Sequence, residues 1–218
     1  MTRGARFWNV IANRYGRKPV PDQALYDKKL AVSRRYMTPE SAVFEFGCGT
    51  GTTALHHAPF VKNIVAIDYS ERMIEIAESK RKAHHVTNVA FACGTLDDHE
   101  HVTAQYDVVL GLNVLHLLGN WKEAIAHAHR MLKPGGVFIS STACLGDTMA
   151  WLRYVLPLGR IVGLLPEIVV FTSAELKGTL ASTGFQTVYE WEPDGNNGLF
   201  IVARRPIGPA PSPTPGRQ

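Results

Sequence analysis

The chain has 218 residues, 45% hydrophobic and 19% charged, with a formal net charge of +4. That is enough chain for one domain with a full core, and too mild a basic excess to argue for a nucleic-acid partner. Three widely spaced cysteines, Cys48, Cys93 and Cys144, with no C-x-x-C pair, suggest neither a disulfide framework nor a zinc site.

The N-terminal MTRGARFWNVIANRYG lacks the apolar run of a signal peptide, so the expected setting is reducing and cytoplasmic. PDQALYDKKLAVSRRYM has helical character and an Asp that can cap its start. SAVFEF reads as a buried strand, and a helix beginning TTALHHA follows the glycine turn after it. KNIVAID is a second strand. SERMIEIAESKRKA is an amphipathic helix with Ser70 as its cap. NVAFAC and the almost wholly apolar YDVVLGLNVL are the third and fourth strands. The helix NWKEAIAHAHRMLK is expected to stop at the breaker PGG, with GVFISSTA as a fifth strand. TSAELKGTLASTG is a helix capped by Thr172 or Ser173. FQTVYEWEP and GLFIVARR close the chain as a hairpin across DGNNG.

Strands alternating with helices predict an α/β fold: a doubly wound, Rossmann-like, mostly parallel sheet with helices on both faces and a C-terminal antiparallel hairpin strand. The expected divisions are an N-terminal helical lid at 1–40, the main domain at 41–205 with a helical insert at 147–170, and a disordered Pro-rich tail at 206–218. The apolar stretch 149–171 carries Arg153, Arg160 and Glu167 with two prolines, which argues against a transmembrane helix and makes a peripheral membrane contact a minor reading.

The stretch VFEFGCGTGTTAL places Gly47, Gly49 and Gly51 at alternate positions after the first strand, with Glu45 two residues before them. Open α/β sheets bind ligands outside the carboxyl ends of their strands, and glycine there lets backbone approach a ligand. The spacing G-x-G-x-G is not the dinucleotide fingerprint, and no Walker lysine follows, so a ligand without phosphate fits better.

These residues resemble the first motif of the class I S-adenosylmethionine-dependent methyltransferases of small-molecule type. IVAIDYSERMIEIAESK is similar to the family's second-strand motif, YDVVLGLNVLHLL to its fourth, and HRMLKPGGVFISS to the helix and strand that follow. The likeness runs over roughly residues 40 to 142. It implies a seven-stranded sheet and S-adenosyl-L-methionine as cofactor. Asp68 is then the residue that grips the ribose hydroxyls. Thr95 and Leu96 stand where the family contacts adenine, but Thr95 replaces a frequent Asp, leaving Asp97 or the Leu96 backbone for that contact. Gly47, Cys48, Gly49 and Gly51 would cradle the cofactor.

Chemistry adds further candidates. Glu45 suits the amino-acid end of the donor, and Tyr69 an adenine face. At the exit of the fourth strand, Asn113 can orient the sulfonium end or the substrate, and His116 is a candidate general base. The acceptor wall is expected from Trp8 and Tyr15 in the lid and from Trp151 and Tyr154 in the insert. His99 and His101 beside Asp97, Asp98 and Glu100 read as a polar loop, and no metal is expected. The leading expectation is methyl transfer to a small hydrophobic or amphipathic acceptor. The alternatives are an RNA or protein methyltransferase and a noncatalytic cofactor-binding subunit. A nicotinamide oxidoreductase is disfavoured by the glycine spacing, and oligomeric state is open.

Overall fold

The computed structural model describes residues 3–18, 21–152, 168–193 and 198–208. Seven strands form one sheet: β1 (Ala42–Phe46), β2 (Asn63–Asp68), β3 (Val89–Cys93), β4 (Tyr106–Leu112), β5 (Leu132–Ala143), β6 (Gln186–Trp191) and β7 (Gly198–Arg204). Their spatial order is β3-β2-β1-β4-β5-β7-β6. β7 runs antiparallel to both of its neighbours, while β1 to β5 pair in parallel. This is the doubly wound sheet expected from the alternation of elements. The order reverses between β1 and β4, which opens a crevice at their carboxyl ends.

The pleat splits the core into two layers. Phe44 and Phe46 of β1 point to one face, where they join Ile125, Ala128 and Met131 of α5 (Trp121–Met131) and Leu176 and Leu180 of α6 (Ser173–Ser182). Val43 points to the other face, with Ile64, Leu110, Val32 of α2 (Gln23–Arg34) and Ala54 of α3 (Thr52–His57). Val108, Val109 and Leu110 of β4 are fully buried because helices cover both sides.

Helix starts follow local chemistry. Asp22, Ser70 and Thr172 cap α2, α4 (Glu71–Ala83) and α6 by accepting from the backbone N–H three residues on. α1 (Arg3–Arg17) packs against α4. Asn9 Oδ1 accepts from Ser70 Oγ at 2.6 Å and from Arg72 N at 3.2 Å, so the first helix is latched to the cap of the fourth.

One boundary differs from expectation. β5 begins at Leu132 and runs through Pro134, Gly135 and Gly136, where PGG reads as a turn. Tyr106 pairs with Leu132 and Val108 with Val137, so the extra residues form a bulge. Gly135 sits at φ +84°, and a side chain on Gly136 would press on the Asp107 carbonyl at 2.9 Å. Bulge geometry therefore absorbs the breaker. Most of the expected 147–170 insert, the hairpin turn at 194–197 and the tail from 209 onward lie outside the described residues. No helix among the described residues is long and apolar enough to cross a membrane.

Candidate active site

The turn after β1 is held across the tip of β2. Cys48 N donates to the Ile67 carbonyl at 3.0 Å, and Gly51 N to the Cys48 carbonyl at 3.0 Å. Gly47, Gly49 and Gly51 all have positive φ, but their surroundings differ. A Cβ on Gly47 would lie 2.4 Å from Val114, and one on Gly51 2.5 Å from Phe91. Those two glycines let strand, loop and helix pack closely. At Gly49 the nearest atom would be Tyr15 Cε1 at 4.0 Å, so backbone is bared to open space there.

Two carboxyl groups flank this turn. Asp68 Oδ2 accepts from Gly49 N and Oδ1 from Ser70 N, each at 2.9 Å. Each oxygen keeps a further lone pair for a ligand hydroxyl. Burial raises the Asp68 pKa, and the two N–H groups oppose that rise. Glu45 is 2% exposed, and its Oε2 is buried with no hydrogen-bond partner. Burial first, and then the charge of Asp68, push Glu45 up to about 8. A buried carboxyl oxygen without a partner is costly.

Both groups border a cleft of about 1360 Å3 at the tips of β1, β2 and β4. Small-ligand pockets commonly hold about 300–1,000 Å3, so there is room for two molecules side by side. Phe7, Trp8 and Tyr15 of α1 form one wall. Trp8 meets Phe7 and Tyr15 edge-on, and its Nε1 is buried without a partner. Asn113 lines the far side with φ +55°, a left-handed backbone that Asn tolerates. Its N–H donates to the Ser141 carbonyl at 2.6 Å, fixing the strand exit.

Among the residues expected from sequence, Glu45, Gly47, Cys48, Gly49, Asp68, Tyr69, Thr95, Leu96, Asn113, Trp8 and Tyr15 all line this cleft. Others stand elsewhere. Gly51 packs behind the turn. His116 is not among the lining residues: its Nδ1 lies 3.1 Å from Thr142 Oγ1, and burial lowers its pKa. Trp151 is 59% exposed and away from the cleft, and Tyr154 lies outside the described residues. Thr95 N and Oγ1 donate to Asp98 Oδ2 in a capping box, so Asp98 is occupied while Asp97 borders the cleft.

Sequence reading missed Tyr26, Thr50, Thr52, Glu123 and His127, which also line it. α5 starts a few residues beyond β4, and that alone could have placed its first turns, with Glu123 and His127, at the strand tips. His129, two residues on, instead packs edge-on against Phe185.

A doubly wound sheet whose glycine turn and two carboxyl groups meet at the switch point resembles the fold of the class I S-adenosylmethionine-dependent methyltransferases. Residues 44–138 match the family described as a methyltransferase domain. The chain is 34% identical over 103 residues to a demethylmenaquinone methyltransferase of Leptospira interrogans, covering 45% of this chain and 41% of that one. It is 27% identical over 113 residues to the uncharacterised methyltransferase YcgJ of Bacillus subtilis, covering 52% of this chain and 45% of the relative. The chain thus spans under half the length of these curated relatives. The crystal structure of Bacillus subtilis YcgJ superposes with a TM-score of 0.69 at 17% identity, over 84% of this chain and all of that one, which supports the shared fold.

Proposed function

We propose that this protein transfers the methyl group of S-adenosyl-L-methionine to a small apolar or amphipathic acceptor by in-line displacement. The observation that carries the reading is the unpartnered, buried Glu45 oxygen beside the bared Gly49 backbone and Asp68. That set fits the donor: a carboxylate for its ammonium end, and acceptor oxygens on Asp68 for two ribose hydroxyls. Tyr69 would lie against the adenine, with the Leu96 backbone and Asp97 near its amine. When bound, the donor supplies a methyl already activated by its sulfonium.

The chain's own work is then to align and to exclude water. The α1 wall of Phe7, Trp8 and Tyr15, latched through Asn9, covers the cleft as a lid and makes its acceptor side apolar. Asn113 orients the reacting end. Holding two partners in attack geometry supplies on the order of 7–11 kcal/mol in favourable cases. His116 stands behind the lining residues with its Nδ1 3.1 Å from Thr142 Oγ1, so its sequence-based role as a base draws no support from its position. The similarity to a demethylmenaquinone methyltransferase supports a small-molecule acceptor.

Calorimetry with S-adenosylmethionine, its demethylated product and NAD, followed by transfer of a labelled methyl to phenols, quinols, amines, thiols and carboxylates with bulk RNA alongside, tests this. The expected result is binding of the first two ligands only and label on a small acceptor. Label on RNA instead would overturn the acceptor class, and binding of NAD alone would overturn the donor.

A further inference from the structure

Lys80 of α4 reaches to the far side of the glycine turn. Its Nζ donates to Thr50 Oγ1 and to Thr52 Oγ1, each at 2.9 Å. No carboxylate pairs with it among the described residues. Thr50 is 6% exposed, its methyl directed toward Gly16 of α1, and both threonines line the cleft.

An ammonium can only donate. Both hydroxyl oxygens therefore act as acceptors toward Lys80, and each keeps its own proton to give. Among the described residues neither proton finds an acceptor. Two hydroxyl donors at the cleft, with a cation directly behind them, make a site for an anionic group. Burial lowers the Lys80 pKa, so its charge is held at a cost that a bound anion offsets.

We infer that Lys80, acting through Thr50 and Thr52, recognises the carboxylate of the donor's amino-acid end, as Glu45 recognises its ammonium. The inference rests on the methyl-donor reading above. Lys80 is a positioning residue: it fixes the two hydroxyls as donors and places positive charge behind them. The cleft thereby selects an intact amino-acid end and discriminates against nucleosides that lack the acid group.

The test compares S-adenosylmethionine with its decarboxylated form, which keeps the sulfonium, amine and nucleoside. Calorimetry of the wild-type chain should show a preference of about tenfold to a hundredfold for the intact donor, the scale of a hydrogen bond to a charged group. Lys80→Met should shrink that preference to about twofold or less, mainly by weakening the intact donor. Lys80→Arg should keep it, and Thr50→Val with Thr52→Val should lose it. A Lys80→Met protein that weakens both ligands equally, or retains the full preference, overturns the inference. If the lysine variant fails to fold, the threonine variants decide the question by the same comparison. A wild-type chain that binds neither sulfonium compound overturns the donor reading itself, and a chain that binds both equally overturns only this one.

Discussion

The two ends of the sheet treat their carboxyl groups differently. At the base, both oxygens of the partly exposed Asp107 are bonded: Lys133 Nζ donates to each at 2.9 Å, and Ala42 N adds a third bond at 2.8 Å. At the tips, no cation pairs with Glu45 or Asp68 among the described residues, and Glu45 leaves one oxygen without a partner. The sheet thus satisfies Asp107, which only holds strands together. It leaves one oxygen of Glu45 without a partner at the tips, where the proposed donor would sit. Unpaired buried groups lower stability, and a binding edge accepts that cost.

The largest effect should come from Glu45→Gln. The folded carboxyl sits at about 8 against an ordinary value of 4.5. A raised acid favours folding below 4.5, and that contribution is lost as pH rises through about 8. Above pH 8 the glutamine variant should be more stable than wild type by about 4 kcal/mol, read from urea melts across pH. Donor affinity should fall in the same protein. A variant that melts at the wild-type denaturant concentration at pH 9 would show that Glu45 ionises freely. For wild type, donor binding at pH 7 should release a proton, read as buffer-dependent binding heat.

His57 complicates the contrast, because it is buried away from the cleft with neither ring nitrogen partnered. Burial first, then Arg34 and His56, lower its pKa from 6.5 to about 3. The unfolded chain takes up a proton that the folded chain refuses, so stability present above pH 6.5 is lost as pH falls toward 3. His57→Leu should flatten that acid limb by about 3 kcal/mol without altering donor affinity. An unchanged slope between pH 6 and pH 4 would remove His57 as its source.

Asp68→Ala should weaken donor binding by about 1–3 kcal/mol, the cost of losing charged hydrogen bonds. Because Asp68 also anchors Gly49 and Ser70 through one oxygen each, Asp68→Asn can accept from only one of those N–H groups, so it should loosen the turn less than Asp68→Ala while still weakening the ribose contact. Wild-type affinity in both variants would separate Asp68 from the ligand.

The same contrast explains what could be read from sequence. Strand β1 and the caps Ser70 and Thr172 were legible because a β-branched run or a hydroxyl three residues ahead of a free N–H acts locally. Glu45 and Asp68 were legible as acids at strand ends. Gly51 was not separable from Gly49: a glycine bared to a ligand and one pressed on Phe91 look alike until Ala77 and Phe91 are placed beside it. The same holds for the run through Pro134 in β5, which depends on a bulge against β4, and for Thr50, whose partner Lys80 lies 30 residues on. His116 looked suited to the chemistry by residue type, but the turn after β4 sets it against Thr142.

The smallest effect sharpens the comparison most. Asp107→Asn removes the Lys133 ion pair at the base, where both side chains are partly exposed at 44% and 34%. Such pairs contribute under about 1 kcal/mol, and the amide oxygen can still accept from Ala42 N. The melting temperature should drop by only about 1–4 °C, with less change in high salt. Donor affinity should match wild type, because β1 and β4 carry nothing from base to tip except their register. If this change at the base weakens donor binding, the tips are not an independent binding edge. Glu45 and Asp68 would then owe their positions to strain transmitted along β1 and β4.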